Sequence, residues 1–239
     1  MALTNTFNIE NWKPKTELGR KVKNKEITDI GDILDKGQKI LEPEVVDVLL
    51  PDLSVELLEV GQSKGKFGGG KGSIWKQTQK KTSEGNRIKF SAFAVVGNKN
   101  GYVGVGFGSS KETVPAREKA IRTAKLNIIK IRRACGSWDC DCKTPHSVPF
   151  KVTGKSGSVK VTLMAAPRGT GLKAERKIRT LLSLAGINDI YTNTEGQTST
   201  KLNFFMACFK ALKRLSNVKM NENFIKEAGV VEGTTTSNV

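Results

Sequence analysis

Residues 87–127 read RIKFSAFAVVGNKNGYVGVGFGSSKETVPAREKAIRTAKLN, and this stretch decides how the middle of the chain folds. Two apolar runs, the second interrupted by glycines, flank Gly97-Asn98-Lys99-Asn100-Gly101, a pattern that predicts a β-hairpin. Glycine inside a strand indicates that another backbone or a ligand approaches closely. A helix is expected after Pro115, with an apolar side and cations largely on another side. Those cations are Lys119, Arg122 and Lys130, so the stretch predicts a binding platform.

An ordered, ungapped set of residues in this stretch carries a recognisable signature. The set is Val95-Val96-Gly97-Asn98, Asn100-Gly101, Val103-Gly104, Gly106, Gly108, Val114-Pro115-Ala116, Lys119-Ala120 and Asn127. It resembles the signature of the small-subunit ribosomal protein S-five family. The resemblance implies that this part of the chain is a variant of the double-stranded-RNA-binding fold.

The second half of the chain extends the resemblance to the family's C-terminal domain. The similar residues are Gly157-Ser158-Val159, Ala166-Pro167, Gly169-Thr170-Gly171, Leu184-Ala185-Gly186-Ile187, Gly196, Thr198 and Asn203. The family implies an α+β architecture, with a left-handed βαβ crossover in this second domain. The acidic N-terminal part and Cys135-Gly136-Ser137-Trp138 resemble the archaeal branch, whereas a glycine-lysine insertion at residues 61–73 departs from it.

The charge of the chain points to a polyanionic partner. Lysine and arginine total 40 against 23 aspartate and glutamate, which gives a net charge of +17. Either nucleic acid or an anionic membrane would fit such an excess. The sequence shows no apolar run of membrane-spanning length and no signal-peptide layout, so we expect a cytoplasmic protein bound to nucleic acid. Residues 1–60 are net acidic, which predicts that RNA contacts begin after about residue 60.

Composition and periodicity predict five regions. Helices are expected at 27–34, 43–50, 172–185 and 200–215, and further strands at 74–82, 148–152, 158–164 and 189–194. The regions are an N-terminal extension with a Gly/Lys-rich loop (1–73), a double-stranded-RNA-binding-like domain (74–134), a Cys/His connector (135–147), a C-terminal α+β domain (148–215) and a mobile tail (216–239).

Nucleotide-binding and catalytic motifs are incomplete. The glycine-lysine sequence at residues 65–72 ends in Gly72, where a phosphate-binding loop needs serine or threonine. Gly104-x-Gly106-x-Gly108 is followed by Ser109, where a dinucleotide fingerprint needs glycine. The chain has one histidine, His146, and no evident acid–base set around it. We therefore expect a protein that is not an enzyme.

The connector carries a candidate metal site. Cys135, Cys140, Cys142 and His146 supply three thiols and one imidazole, the donor set of a structural zinc. The single residue between Cys140 and Cys142 is shorter than usual zinc spacing, so only a tight turn would bring both thiolates to one metal. Structural zinc and simple buried sulfur both remain open. Cys208 lies on the core side of a predicted helix, and a disulfide is disfavoured in a cytosolic chain.

The remaining candidate RNA contacts are clustered cations. Lys80, Lys81, Arg87 and Lys89 flank a loop whose only acid is Glu84. Arg168 precedes Gly169-Thr170-Gly171 and a predicted helix whose N-terminal amides could receive a phosphate.

The sequence therefore predicts a structural constituent of the small ribosomal subunit that binds small-subunit rRNA. The resemblance implies a place near the region where messenger RNA enters and is decoded, with ribosomal proteins S-four and S-eight as neighbours. It also implies a contribution to translational accuracy through residues 80–87. The alternative is a free-standing regulator that binds double-stranded RNA by its shape.

Overall fold

The computed structural model describes residues 12–62 and 72–234, which form two compact units. The first unit is Met1–Val96 with Gly104–Ile128, and the second is Gly97–Val103 with Ile129–Val239. The tip of the central hairpin thus belongs to the second unit. Most of the predicted glycine-lysine loop, including the phosphate-loop-like sequence, lies outside the described residues.

The first unit combines four helices and a five-stranded sheet. The sheet order is β1-β3-β4-β5, and β2 also pairs with β3. The elements are α1 (Glu17–Lys23), α2 (Ile30–Asp35), α3 (Pro43–Leu49), β1 (Ser54–Leu57), β2 (Lys76–Thr82), β3 (Gly85–Gly97), β4 (Tyr102–Ser110), α4 (Thr113–Leu126) and β5 (Ile128–Lys130), the last of which runs into the second unit.

The N-terminal segment is part of the first unit's core. Strand β1 pairs with β3, and the Leu58 amide donates to the Phe93 carbonyl at 2.9 Å. Val55 and Leu58 are buried, as is the whole run from Ala92 to Val96 in β3. The acidic segment therefore contributes a strand to the sheet, whereas its sequence predicted only an extension with two helices.

The glycines of β4 meet the backbone of α4. A Cβ atom at Gly104, Gly106 or Gly108 would lie within 2.3 Å of backbone atoms of the helix. The facing helical residues are alanines at a spacing of four, Ala116, Ala120 and Ala124. Glycine therefore lets the helix backbone pack directly on the strand. The close approach predicted from the glycines is that of a helix.

The second unit contains a four-stranded sheet of order β7-β8-β10-β9 and a two-stranded ladder of β11 with β6. Strand β8 pairs antiparallel with β10, whereas β9 pairs parallel with β10 across helix α5, which makes a βαβ crossover. The elements are β6 (Arg132–Arg133), β7 (Val152–Ser156), β8 (Val159–Ala165), β9 (Leu172–Lys173), α5 (Arg176–Leu184), β10 (Ile190–Glu195), α6 (Lys201–Ser216), α7 (Glu222–Ala228) and β11 (Val231–Glu232).

Four elements of the second unit differ from the sequence expectation. Strand β7 starts at Val152, and residues 148–151, which include Pro149 without an N–H, form no strand. Helix α5 starts at Arg176, because Leu172 and Lys173 pair with β10 instead. Within the segment expected to be mobile, residues 222–232 form α7 and β11, and β11 pairs with β6.

The architecture confirms the α+β prediction. Within residues 12–62 and 72–234, no helix combines the length and the apolar character that a bilayer crossing requires.

Candidate nucleic-acid interface and metal centre

Strands β2 and β3 form an exposed two-stranded ribbon. Their register pairs Lys76 with Ser91, Thr78 with Lys89, and Lys80 with Arg87. Residues 76–81 and 85–89 are all exposed. The predicted cations Lys80, Lys81, Arg87 and Lys89 therefore lie together on a solvated β-ribbon.

The two faces of this ribbon differ in charge. Residues directly opposite each other, and residues two apart along a strand, share a face. One face, which we call the cationic face, carries Lys76, Lys80, Arg87 and Lys89. The other carries Lys81 among neutral residues, namely Gln77, Gln79, Asn86, Ile88 and Phe90. Lys76 was missed from the sequence, although its even spacing from Lys80 within a strand places both on one face.

The ribbon ends in a tight turn. Ser83 and Glu84 alone connect the strands, and Thr82 Oγ1 donates to the Gly85 carbonyl at 2.7 Å. Gly85 adopts φ +112°, a conformation that favours glycine. Arg87 donates to Glu84 at 2.6 Å, but both side chains are exposed. An ion pair between exposed side chains contributes at most about 1 kcal/mol to stability, so Arg87 can exchange Glu84 for a phosphate. The loop expected at residues 83–86 is thus an ordered hairpin end.

Helix α4 presents two of the three cations expected on it and buries another, whereas Lys130, the third expected cation, lies in β5 because the helix ends at Leu126. Lys119 and Arg122 are exposed. Lys125, which sequence analysis did not single out, is buried with its Nζ 2.7 Å from Asp47 Oδ1 of α3. The helix therefore offers Lys119 and Arg122 to a polyanion, while Lys125 ties the helix to the acidic N-terminal segment.

Lys130 is engaged inside the second unit. It is half-buried, and its Nζ lies 3.7 Å from Glu232 Oε2 of β11. Arg132 also contacts Glu232, through Nε and Oε1. The structure thus places Lys130 beside a carboxylate distant in sequence, an arrangement that no local pattern indicates.

Arg168 is exposed, but the amides beyond it are occupied. The Gly169 and Gly171 amides donate to Asp189 Oδ1 at 3.1 and 2.8 Å. Helix α5 starts only at Arg176. The helix expected directly after Gly171 therefore starts four residues later, and the two glycine amides that follow Arg168 are taken by an internal carboxylate. Phosphate binding by the helix amides stays a prediction.

Arg133 is a buried cation that holds the tip of the central hairpin. Its NH2 group donates to Asn100 Oδ1 at 2.6 Å and to the Gly233 carbonyl at 3.0 Å, and its NH1 group donates to the Gly186 carbonyl. Burial lowers the pKa of Arg133 from its usual value. These acceptors are neutral and sit in three separate segments, so the role of Arg133 could not be found from the sequence.

The four candidate metal ligands come together. The Sγ atoms of Cys135, Cys140 and Cys142 and a ring nitrogen of His146 lie within 4.8 Å of one another. Cys140 Sγ is 3.9 Å from His146 Nε2. The Cys140 amide donates to the Ser137 carbonyl, and Lys143 adopts φ +52°. These turns on either side allow thiols only two residues apart to face one point.

The thiols of this cluster differ in acidity. A hydrogen bond from Thr144, 3.0 Å from Cys142 Sγ, lowers the pKa of Cys142 to about 6. Burial raises the pKa of Cys135 to about 11. Cys208 lies buried in α6, and burial raises its pKa to about 12. Cys142 therefore supplies a ready thiolate beside a buried thiol, while Cys208 serves as a core residue.

A buried carboxylate stands behind the histidine. Asp189 Oδ2 lies 2.9 Å from His146 Nδ1, the nitrogen that faces away from Cys140. The distance is that of a hydrogen bond, whereas the angle is not, so the ring must rotate for Nδ1 to donate. A histidine that binds zinc commonly donates a hydrogen bond from its other nitrogen to a carboxylate, and rotation of this ring would complete that arrangement.

The donor set fits zinc. Three thiolates and one imidazole are common ligands of structural sites. Zinc–sulfur and zinc–nitrogen bonds of about 2.3 and 2.0 Å place tetrahedral ligands roughly 3.5–3.8 Å apart. The observed separations, up to 4.8 Å, require the cluster to contract by about 1 Å. The second unit thus contains a Cys₃His cluster able to bind a metal ion.

Comparison with known families gives two adjacent matches. The model for the N-terminal domain of ribosomal protein S5 matches residues 74–132, and the model for its C-terminal domain matches residues 154–224. Together they cover more than half of the chain. This chain belongs to the ribosomal protein S5 family. The matches include the ribbon, β4 and α4 in one domain and the β9-α5-β10 crossover in the other, and they confirm the recognised resemblance.

Curated archaeal members of the family are similar over nearly the whole chain. "Small ribosomal subunit protein uS5" of Nanoarchaeum equitans is 51% identical, over 95% of this chain and 97% of the relative. The proteins of the same name from Methanosphaera stadtmanae and Methanocaldococcus jannaschii are 50% and 48% identical. Each covers 95% of this chain, with 93% and 98% of the relative matched. The similarity therefore includes the acidic N-terminal segment and the connector.

Proposed function

We propose that this chain is a structural constituent of the small ribosomal subunit in the cytoplasm and binds small-subunit rRNA. The observation that carries this is its similarity, at about half of all positions, to relatives named small ribosomal subunit proteins. A net charge of +17 supports a polyanionic partner. The role is one of binding, without catalysis, and ribosomal proteins S-four and S-eight are the neighbours that the family suggests.

Sedimentation separates this function from the rival regulator of double-stranded RNA. A subunit constituent should travel with the small subunit through a gradient at high salt, because many contacts hold it. A free regulator held by phosphate contacts alone should dissociate, because such binding falls steeply with salt. Recovery of the full chain only at the top of the gradient would contradict the ribosomal function.

Within this role, we propose that the ribbon contacts messenger RNA near the decoding region and contributes to accuracy. Lys76, Lys80, Arg87 and Lys89 give one face four cations, which can hold phosphates without reading bases. The ribbon ends in a two-residue turn and is solvated on both faces, so this face is available to a strand. Lys119, Arg122 and Arg168 are exposed and are proposed to bind rRNA.

Replacing Lys80 and Lys81 by alanine should leave subunits assembled yet change miscoding frequency. We expect a change of roughly twofold to fivefold, equivalent to one exposed ion pair of about 0.4–1 kcal/mol. Reporter assays in cells, on structured and unstructured messengers, would measure it. Most of the effect should come from Lys80→Ala, because Lys80 lies on the cationic face.

Lys81→Ala is the matched control, since Lys81 is the next residue but lies on the other face. Equal effects of the two single changes would contradict the assignment to one face. If subunits that contain the double variant assemble and translate with normal accuracy, the ribbon only contacts rRNA and does not act on messenger reading.

We also propose that the Cys₃His cluster binds one structural zinc. Cys135, Cys140, Cys142 and His146 would hold the ion, which would cross-link the connector as such ions do in small domains. Metal analysis of the purified, dialysed full chain should find about one zinc per chain. A metal-free chain in which all thiols react freely would leave the cluster as buried sulfur.

A further inference from the structure

Asp189 connects two parts of the second unit through one side chain. It is buried, with 4% of its surface exposed. Its Oδ2 lies 2.9 Å from His146 Nδ1, and its Oδ1 accepts the Gly169 and Gly171 amides at 3.1 and 2.8 Å. One carboxylate thus touches a metal-ligand candidate on one side and the loop that bears Arg168 on the other.

The backbone reinforces the connection with His146. The amides of Asn188 and Asp189 both donate to the His146 carbonyl, at 2.9 and 3.1 Å. The histidine and the carboxylate are therefore held together by the main chain, with their side chains 2.9 Å apart. A displacement of either is expected to move the other, because buried polar groups are costly to leave without partners.

The loop of residues 167–171 takes its shape from the same carboxylate. Gly169 and Gly171 adopt φ +90° and +71°, and both direct their amides at one oxygen. The other ties of the loop come from the main chain and one hydroxyl: the Thr170 amide and hydroxyl donate to the Pro167 carbonyl, and the Gly171 carbonyl at the end of the loop accepts from the Ile190 amide at 3.2 Å. Among the contacts described for this loop, the carboxylate is thus the side chain that holds it from a distant segment. Arg168 is exposed and directly precedes Gly169, the first of the two anchored positions.

The histidine can serve a metal only in one tautomer. Nε2 faces Cys140 Sγ at 3.9 Å, so a bound ion takes Nε2 and leaves the proton on Nδ1. Once the ring rotates so that Nδ1 donates to Asp189, the carboxylate stabilises that tautomer and fixes the ring. Conversely, a ring fixed by the ion holds the carboxylate in place.

We propose that Asp189 is a positioning residue that couples metal occupancy of the Cys₃His cluster to the conformation of the loop carrying Arg168. Metal at His146 orders the carboxylate, and the carboxylate orders residues 167–171. The RNA contact at Arg168 is then formed fully only in the metal-loaded chain. This inference rests on the proposed zinc binding.

The test uses Asp189→Asn in the full chain, with zinc as the metal. Loss of a carboxylate behind a metal-binding histidine typically weakens zinc binding by about 10-fold to 100-fold, and we expect that loss in a chelator competition. Hydrogen exchange of the Gly169 and Gly171 amides should accelerate. In the unaltered chain, removal of zinc should accelerate the same two amides while those of β8 and α6 stay protected.

Asp141→Asn is the matched control, because Asp141 lies between two of the cysteines but is exposed. This substitution removes the same charge near the metal. Its zinc affinity and the hydrogen-exchange rates of its Gly169 and Gly171 amides should equal those of the unaltered chain. The comparison of zinc-loaded and zinc-free unaltered chain needs no substitution, so it stands even if Asp189→Asn folds poorly.

The outcomes separate this coupling from zinc binding itself. If the purified unaltered chain contains no zinc, both the zinc site and the coupling are overturned. An unaltered chain that holds zinc, with equal affinity in Asp189→Asn, overturns the coupling alone. If removal of zinc does not change the hydrogen exchange of the Gly169 and Gly171 amides, the coupling alone is likewise overturned.

Discussion

Replacing Cys135 with serine should deplete the chain of zinc and loosen residues 217–234. Cys135 is buried, and its amide donates to the Ala228 carbonyl at the end of α7 at 2.9 Å. The next residue, Gly229, packs so closely that a Cβ there would lie 2.1 Å from the Lys143 carbonyl. The C-terminal segment therefore contacts the backbone of the connector that carries the Cys₃His cluster. Structural zinc contributes directly to folding, so loss of one thiolate should release this segment.

Zinc content and proteolysis would measure the effect together. We expect the bound zinc of Cys135→Ser to fall from about one per chain to below about 0.1. Trypsin should cleave after Lys226 in α7 about tenfold faster, which corresponds to a decrease of about 1.4 kcal/mol in the free energy of local unfolding. Cys208→Ser is the matched control, because it makes the same chemical change in α6 outside the cluster. Unchanged zinc content in Cys135→Ser would contradict the proposed site.

Local patterns predicted the elements whose contacts are close in sequence. The hairpin of β3 and β4 and helix α4 follow from apolar runs, an Asn-Gly turn and a helical stripe, and the structure shows all three. The glycines of β4 also indicated a close approach, but not its partner. Elements made by pairing with distant segments were missed, such as β1 on β3 and β11 on β6. A strand of two to four residues has too few positions to show a period.

The candidate site was predictable in composition and not in arrangement. Three cysteines and a histidine indicated a candidate metal site, while the turns that bring Cys140 and Cys142 together appear only in the structure. Asp189 could not be found, because its partners His146, Gly169 and Gly171 come from separate segments. The RNA-binding roles of the exposed cations stay predictions. For the ribbon, the strand register adds which of them share a face.

Changing Gly106 to alanine should destabilise the first unit. Its added Cβ would lie 2.2 Å from both the Ala120 carbonyl oxygen and the Ala124 nitrogen. Both are backbone atoms of α4, so no side-chain rotation can relieve the clash, and the helix must move away from β4. Overpacking of a core costs typically 1–3 kcal/mol, and this backbone clash should reach about 3 kcal/mol or more. That is a large fraction of a domain's total stability of about 5–15 kcal/mol.

Tryptophan fluorescence during urea unfolding would report on this unit. Trp12 and Trp75 belong to the first unit, whereas Trp138 of the second is 97% exposed and should change little. Ser110→Ala, at the end of the same strand, is the control and should unfold near the midpoint of the unaltered chain. An unchanged midpoint for Gly106→Ala would mean that α4 can shift at little cost. The alternation of glycines against alanines in β4 and α4 would then not be a packing requirement, although Gly154 repeats the contact against Ala207 and Ala211 in the second unit.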